Sequence, residues 1–194
     1  MSTMGKPDIE QRRCLARSRL FAIESLELAF SNGEKRCFER VTGNGQGAGA
    51  VMIVALPDPN HVLLIREYAA GIEEYALGLP KGVIDPGEDM ITAANRELRE
   101  ECGFGAQNIE PLIELTLAPH YMTHRIQVVM ATGLYVAPLE GDEPEPLQVE
   151  RVPIDDISAL LARGDFHEGR AIAALFIARE KLRERRIGPD PLFW

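Results

Sequence analysis

The sequence has few cysteines and few histidines, and each shortage excludes a class of protein. Its 194 residues include three cysteines, Cys14, Cys37 and Cys102, an odd number without a CxxC pair. A disulfide framework or a cysteine zinc cage is therefore not expected, and the cysteine usage indicates a reducing compartment, the cytoplasm. The four histidines share no metal-ligand spacing, which argues against a histidine zinc site.

Long apolar segments are also missing. The apolar stretch 171–178 is too short to cross a bilayer, and residues 1–16 lack the apolar core of a signal peptide. Positive charge is scarce as well, because 21 Lys and Arg face 30 Asp and Glu, giving a formal net charge of −9. We therefore expect no membrane association and no binding to long nucleic acids, although a metal ion could still offset a local acidic cluster beside a small anionic substrate.

The order of predicted elements indicates an α/β fold within one domain. Strands are expected over residues 20–30 and 34–41, joined by a hairpin at Asn32-Gly33, and residues 1–17 are expected to form a loose polar arm. Residues 57–60 are predicted to join two further strands as a second hairpin. Further elements are expected as follows: an irregular Gly/Pro loop at 77–88, helices at 89–102, 155–162 and 168–185, and strands at 112–117 and 126–134. This order predicts a mixed sheet between helices.

The predicted helix 89–102 carries three closely spaced carboxylates. At about 100° per residue, Glu97, Glu100 and Glu101 fall within one arc of the helix, which we call the carboxylate face. Like charges at this spacing destabilise a helix, so the repulsion must be offset. Mg²⁺ or Mn²⁺ would offset it, since hard cations prefer oxygen ligands. Together with the preceding Gly/Pro loop, this pattern favours metal-assisted chemistry on a phosphate compound.

The same segment resembles the Nudix box, the motif of the Nudix hydrolases. Eight specified positions match at the required spacing, and Phe104 stands where the motif has an aliphatic residue. The matching residues are Gly82, Glu88, Arg96, Glu97, Leu98, Glu100, Glu101 and Gly103. The resemblance implies a Nudix-type α/β/α sandwich with a mixed sheet, extended by an N-terminal β-hairpin. It divides the chain into a dimer-forming N-terminal region at 1–47, a hydrolase domain at 48–186 and a tail at 187–194.

The resemblance also implies the roles of the box residues. Glu97 and Glu101 would bind the metal directly, Glu100 directly or through water, and the backbone carbonyl of Lys81 would complete the site. Glu88 and Arg96 would brace the loop against the helix. The predicted catalytic set is Glu100, Glu140, Arg96 and Glu88, and the cofactor is Mg²⁺, with Mn²⁺ as an alternative.

The general base is predicted from the segment 140–146, which we call the acidic loop. Related enzymes that hydrolyse ADP-ribose take this group from a loop after the core strands. The order Glu-Gly-acid favours Glu140, with Glu143 and Glu145 as alternatives. An acidic loop residue of this kind would accept the proton of the attacking water.

Within the family, the chain resembles the bacterial hydrolases of ADP compounds, which are close to the ADP-ribose pyrophosphatases. The likeness rests on residues 17–21, on Arg66-Glu67-Tyr68 and on the acidic loop, and it covers about 15–180. It implies a homodimer. The substrate contacts that it suggests are Lys35, Arg36, Arg40, Arg66, Pro119 and Tyr121.

The predicted reaction is metal-dependent hydrolysis of the pyrophosphate bond in ADP-ribose, NADH and dinucleoside polyphosphates, with release of AMP. Many ADP-ribose pyrophosphatases have an arginine where Ala69 stands, so a strict ADP-ribose preference is not expected. Two alternatives stay open. The chain could bind ADP-ribose or NAD as a sensor without turnover, or it could hydrolyse another nucleoside diphosphate-linked substrate.

Overall fold

The computed structural model of the chain describes residues 5–43 and 49–187, which fall into two compact units. One unit contains the first three strands together with residues 116–125, and the other contains the remaining described elements. The predicted boundary at residue 47 lies outside the described residues, as does the predicted tail apart from residue 187. Within the described ranges, we find no helix with the length and apolar character needed to cross a membrane.

The first unit is built on an antiparallel sheet of three strands in the order β1-β2-β3. The strands are β1 (Asp8–Arg17), β2 (Phe21–Ala29) and β3 (Lys35–Gly43). The predicted hairpin is confirmed: the Phe30 N–H donates to the Glu34 carbonyl at 2.8 Å, and Gly33 adopts a φ of 87°. That left-handed conformation is accessible to glycine at little cost.

The prediction of a loose arm is wrong for residues 8–17, which form β1. All ten side chains of β1 are exposed, so the sequence carries no apolar alternation from which a strand could be recognised. The strand exists because its main chain pairs with β2, from Asp8 opposite Ala29 to Arg17 opposite Ala22.

The second unit contains two sheets and three helices. Its strands are β4 (Ala50–Ala55), β5 (His61–Ala69), β6 (Glu74–Gly78), β7 (Lys81–Val83), β8 (Phe104–Thr116), β9 (Arg125–Val136) and β10 (Gln148–Pro153). Its helices are α1 (Met90–Cys102), α2 (Ile157–Ala162) and α3 (Gly169–Ile187). One sheet has the order β7-β4-β9-β8 and is mixed, because β4 runs parallel to β9 and antiparallel to β7. The other sheet has the order β10-β5-β6.

Two apolar cores lie on opposite faces of the central strands. Met52 and Val54 of β4 and Leu64 of β5 point into a core covered by α2 and α3. Their neighbours Ile53 and Leu63 point into a core covered by α1. Because side chains alternate across a strand, one sequence stretch supplies both cores. The predicted α/β/α sandwich with a mixed sheet is therefore confirmed.

The second predicted hairpin is wrong, because β4 and β5 do not pair with each other along their length. Each lies in the interior of its own sheet, β4 between β7 and β9 and β5 between β10 and β6. Both strands are buried on both faces, as is typical of central strands with a partner on each side. The irregular loop predicted at 77–88 is also partly wrong, since it contains the end of β6 and the short strand β7.

Candidate active site

Helix α1 is fixed at both ends and against the core. The Asp89 carboxylate caps its first turn by accepting the N–H groups of Ile91 and Thr92 at 2.9 and 3.0 Å. Gly103 ends the helix with a φ of 77° and donates its N–H to the Arg99 carbonyl at 3.1 Å. The buried residues of the helix are Ala93, Ala94, Leu98, Glu101 and Cys102. One of these is a carboxylate, and its burial distinguishes this face from an ordinary solvated one.

Arg96 connects the Gly/Pro loop to the carboxylate face. Its guanidinium donates to both oxygens of Glu88, at 3.1 and 2.9 Å, and to the Val83 carbonyl at 2.9 Å. The Nη1 atom of the same guanidinium donates to Glu97 at 2.8 Å and to Glu100 at 3.0 Å. The hydrogen bonds from Arg96 to Glu88 lower the pKa of Glu88. The repulsion expected among the helix carboxylates is thus partly offset within the protein itself.

Glu101 is the most buried member of the carboxylate face, with 7% of its surface exposed. One carboxylate oxygen accepts the backbone N–H of Lys81 at 2.8 Å. Burial raises the pKa of Glu101 to about 8, opposed by the charge and the N–H of Lys81 and assisted by Glu97 and Glu67. A buried carboxylate with so little neutralisation is costly, and a divalent cation would supply the missing charge.

Glu97 lies directly against the backbone of Gly82. A Cβ atom added to Gly82 would lie 1.9 Å from the Glu97 carboxylate carbon, so no other residue fits there without displacing that side chain. Burial raises the pKa of Glu97, Arg96 lowers it, and the neighbouring charges of Glu100 and Asp142 raise it further. The first glycine of the box therefore allows the carboxylate to approach the Lys81–Gly82 backbone.

The acidic loop approaches the same helix face. The Leu139 N–H, just before the loop, donates to the Arg99 carbonyl at 3.1 Å, and the Arg99 side chain donates to the Ala137 carbonyl at 2.9 Å. A Cβ on Gly141 would lie 3.4 Å from the Cβ of Glu100. The loop thus passes over the C-terminal half of α1, as the resemblance requires of a segment that supplies a general base.

Within the acidic loop, Glu143 is influenced by charged residues around the carboxylate face. Burial raises the pKa of Glu143, and the charges of Glu67 and Asp142 raise it further while Lys81 lowers it. Glu143 is thus influenced by the charges of Glu67 on β5 and Lys81 on β7. Glu140 is exposed.

Glu67 was not identified as a site residue from the sequence. It lies on β5, and its carboxylate forms an ion pair with the Lys81 ammonium. The periodicity of β5 could have revealed its side: buried Leu63 and Ile65 face helix α1, so Glu67, two residues further, faces it too. The sequence shows Glu67 only as the middle residue of the motif Arg66-Glu67-Tyr68.

Arg66, predicted as a substrate contact, is directed to the other face of the sheet. It donates to Asp165 at 2.6 Å and to Glu150 at 3.0 Å, and Arg163 binds the same two carboxylates. This ion-pair network joins β5 and β10 to the segment after α2. The structure does not bring Arg66 together with the carboxylate face. The charge of Arg66 is instead paired with Glu150 and Asp165 on the opposite side of the sheet.

The other predicted substrate contacts belong to the first unit. Lys35 pairs with Glu10 at 2.6 Å. Arg36 pairs with Glu34 at 2.7 Å, and Arg40 with Glu24 at 2.8 Å. Pro119 and Tyr121 are exposed in the segment 116–125, where the Tyr121 carbonyl accepts the Val41 N–H at 2.7 Å. Their role in substrate binding stays a prediction.

The donor set of the carboxylate face fits a hard divalent cation. It consists of carboxylate oxygens from one helix beside the Lys81–Gly82 backbone, and such cations bind through oxygen. Among residues 5–43 and 49–187, no three His, Cys, Asp or Glu side chains converge as a preformed ligand cage. Arg96 holds Glu97 and Glu100 in these positions, so a cation would compete with its guanidinium for their oxygens.

The fold, the site and the comparison with known families together show to which class of protein this chain belongs. The profile described as "NUDIX domain" matches residues 47–175, and one described as "NudE-type Nudix hydrolase N-terminal domain" matches residues 7–40. The chain belongs to the Nudix hydrolase family. Members of this family generally use divalent metal ions.

The relatives that this chain resembles include hydrolases of ADP compounds and of ADP-ribose. The chain is 49% identical over 181 residues to "ADP compounds hydrolase NudE" of Escherichia coli (strain K12), covering 93% of this chain and 96% of the relative. It is 32% identical to an "ADP-ribose pyrophosphatase" of Mycobacterium tuberculosis, over 66% of this chain and 63% of that protein. A solved structure, "Crystal structure of ADP compounds hydrolase", superposes with a TM-score of 0.86 at 47% identity, covering 95% of this chain and 98% of the other.

Proposed function

We propose that this chain hydrolyses the pyrophosphate bond of ADP-linked compounds, among them ADP-ribose, NADH and dinucleoside polyphosphates, and releases AMP. The observation that carries the proposal is the carboxylate face of α1, which includes the buried Glu101 and is held against the Lys81–Gly82 backbone. The identity of 49% along nearly the whole chain to an ADP compounds hydrolase supports the substrate class.

The residues proposed to hold the metal are Glu97, Glu100, Glu101 and the backbone carbonyl of Lys81. Mg²⁺ is the proposed ion, and Mn²⁺ could replace it, because both take carboxylate and carbonyl oxygens. When bound, such an ion neutralises pyrophosphate charge and lowers the pKa of water. Arg96 and Glu88 are proposed to keep the loop and helix in register, since the guanidinium bonds to both.

We propose Glu143 as the general base, in place of the Glu140 favoured by the sequence. Glu143 lies within electrostatic reach of Glu67, Asp142 and Lys81, and its pKa is raised. A carboxylate with a raised pKa accepts a proton from water more readily than an ordinary one, and that proton is then released to solvent. Replacement by Glu143→Gln should remove this step, while Glu140→Gln should affect turnover far less.

We further propose that the protein acts as a homodimer. Exposed apolar side chains of the N-terminal sheet support this, because Ile9, Leu15, Phe21 and Phe38 each expose between 47% and 53% of their surface. Exposed apolar side chains grouped on one sheet are typical of an interface. The cytoplasmic location and the roles of Lys35, Arg36 and Arg40 stay predictions.

The experiment is AMP release by the purified protein with Mg²⁺ from ADP-ribose, NADH, diadenosine triphosphate and a nucleoside triphosphate. We expect turnover of the first three to exceed that of the triphosphate, and addition of EDTA to abolish it. Turnover of the triphosphate alone would contradict the substrate class. Tight binding of ADP-ribose without any product would instead support the sensor.

A further inference from the structure

The acidic loop is attached to the rest of the domain at both of its ends. Its N-terminal end contacts α1, through the Leu139 N–H to the Arg99 carbonyl and through Gly141 against Glu100. Its C-terminal end contacts the β5–β6 hairpin, where the Tyr75 hydroxyl donates to Glu145 Oε1 at 2.5 Å. The proposed base Glu143 lies between these two attachments.

The Tyr75–Glu145 contact has the length of a charge-assisted hydrogen bond. It joins positions that are 70 residues apart in the sequence. The bond favours the neutral phenol, and accordingly the pKa of Tyr75 is raised, chiefly by Glu145. Because the loop has no regular secondary structure between β9 and β10, such single contacts decide which of its conformations is populated.

The ring of Tyr75 is itself held in place. It packs edge-to-face on Tyr68, with ring centroids 5.3 Å apart, and the two residues are paired across β5 and β6. Tyr68 follows Glu67, whose carboxylate binds Lys81. The β5–β6 hairpin therefore presents Glu67 to Lys81 on one face and, from the opposite face, the Tyr75 hydroxyl to the loop that carries Glu143.

We propose that Tyr75 is a positioning residue, whose hydroxyl holds Glu145 and thereby keeps Glu143 in place to accept a proton. This inference rests on the proposed function, in which Glu143 is the base. Tyr75 does not touch the reacting atoms in this account. It raises the fraction of molecules in which the acidic loop is correctly placed before the substrate arrives.

The test is the steady-state kinetics of ADP-ribose hydrolysis by Tyr75→Phe, which removes only the hydroxyl. We expect kcat to fall about three- to tenfold, the range of one net hydrogen bond. KM, the affinity for Mn²⁺ measured by titration, and the Tm should stay unchanged, because the metal-binding residues and the core are untouched. Tyr68→Phe is the matched control: it removes the hydroxyl of the adjoining ring, for which the described residues provide no hydrogen bond, and should leave kcat unchanged.

Variants of the partner side chain separate positioning from chemistry. Glu145→Gln keeps an oxygen that can accept the Tyr75 hydroxyl, so its kcat should stay within about twofold of wild type. Glu145→Leu should match Tyr75→Phe, and the double variant Tyr75→Phe/Glu145→Leu should be no slower than either single one, since both remove the same bond. Additive losses in the double variant would overturn the proposal.

Glu143→Gln distinguishes a failure of this inference from a failure of the proposed base. If Glu143→Gln is inactive while Tyr75→Phe has the wild-type kcat, the base is supported and the positioning role is overturned. If Glu143→Gln keeps full activity, Glu143 is not the base, and the positioning role of Tyr75 is overturned together with the proposed base. A rise of kcat in Tyr75→Phe would mean that the bond holds the loop away from its working position, which also overturns the proposal.

Discussion

At the scale of single residues, Glu101 combines burial with a raised pKa, and this links stability to pH. Burial raises its pKa from an ordinary 4.5 to about 8. Between these values the folded state keeps a proton that the unfolded state has lost, so the free energy of unfolding contributed by this group falls as pH rises. Below the lower value, both states are protonated and the contribution vanishes.

We therefore predict that Glu101→Gln stabilises the metal-free protein, and increasingly so from pH 5 to pH 8. The gain should reach on the order of a few kcal/mol at pH 8, because the neutral amide avoids ionisation in a buried place. Urea unfolding in EDTA at several pH values measures it. Exposed Glu74→Gln is the control and should show no such trend. A Glu101→Gln variant whose advantage shrinks as pH rises would contradict the prediction.

Gly82 gives a second prediction at this scale. In Gly82→Ala the new methyl group would meet the Glu97 carboxylate at 1.9 Å, and the flexible end of Glu97 would move away. We expect stability to change little, while Mn²⁺ affinity and kcat fall by about tenfold or more, as for other disturbances of metal-ligand geometry. Gly78→Ala is the matched control, since a Cβ there meets nothing within 4 Å. Equal losses in both variants would show that the effect is not specific to Glu97.

At the scale of elements, β5 presents neighbouring residues to opposite faces and to different tasks. Glu67 faces α1 and binds Lys81, while Arg66 faces the other way and binds Glu150 and Asp165. One oxygen of Asp165 is already buried without a hydrogen-bond partner, so loss of Arg66 would leave this carboxylate still less compensated.

We predict opposite consequences for the two residues. Arg66→Met should lower the Tm by about 3 °C or more, which for this chain length corresponds to roughly 1 kcal/mol, and should leave kcat nearly unchanged. Glu67→Gln should lower kcat by about tenfold, because Lys81 loses its counter-charge beside Glu101 and Glu143, with little change in Tm. Thermal unfolding and kinetics on both variants measure this contrast. Loss of substrate affinity in Arg66→Met would restore the sequence-based assignment of Arg66.

Elements with a strong periodic signal were predictable from the sequence. The helix expected at 89–102 is α1, because its apolar stripe recurs at helical spacing and Gly103 marks its end. Strand β1 was not predictable, since its side chains are all exposed and its few apolar residues do not alternate with polar ones. The strands that pair with β4 and β5 were not predictable either. An apolar run indicates that a strand is buried, but its pairing partner lies far along the chain.

The candidate site shows the same limit. The spacing of Glu97, Glu100 and Glu101 placed them on one helix face, because that depends only on local geometry. Helical position alone put Arg96 outside this face, yet its long side chain reaches back to Glu97 and Glu100. Glu67 and Tyr75 join the site through contacts between distant segments, which no local pattern contains.

At the scale of the whole molecule, the exposed apolar side chains of the N-terminal sheet lead to a prediction of oligomeric state. Light scattering after size-exclusion chromatography should give about twice the chain mass of 21.5 kDa. Phe38→Glu should shift the protein toward the monomer, because a charge would have to be buried in the interface. The matched change of exposed Val136→Glu, in the other unit, should leave the dimer intact. A wild-type monomer at micromolar concentration would contradict the proposed homodimer.

The central claim is that the carboxylate face of α1 carries metal-dependent hydrolysis of ADP-linked pyrophosphates. Its most direct test is the rate of AMP release from ADP-ribose with Mg²⁺ by wild type, Glu97→Gln, Glu101→Gln and the control Glu74→Gln. The account predicts at least about a hundredfold loss of kcat in the two helix variants, since a lost metal ligand removes several kcal/mol of transition-state stabilisation, and none in the control. Folded helix variants that keep rates within a few-fold of wild type would contradict it.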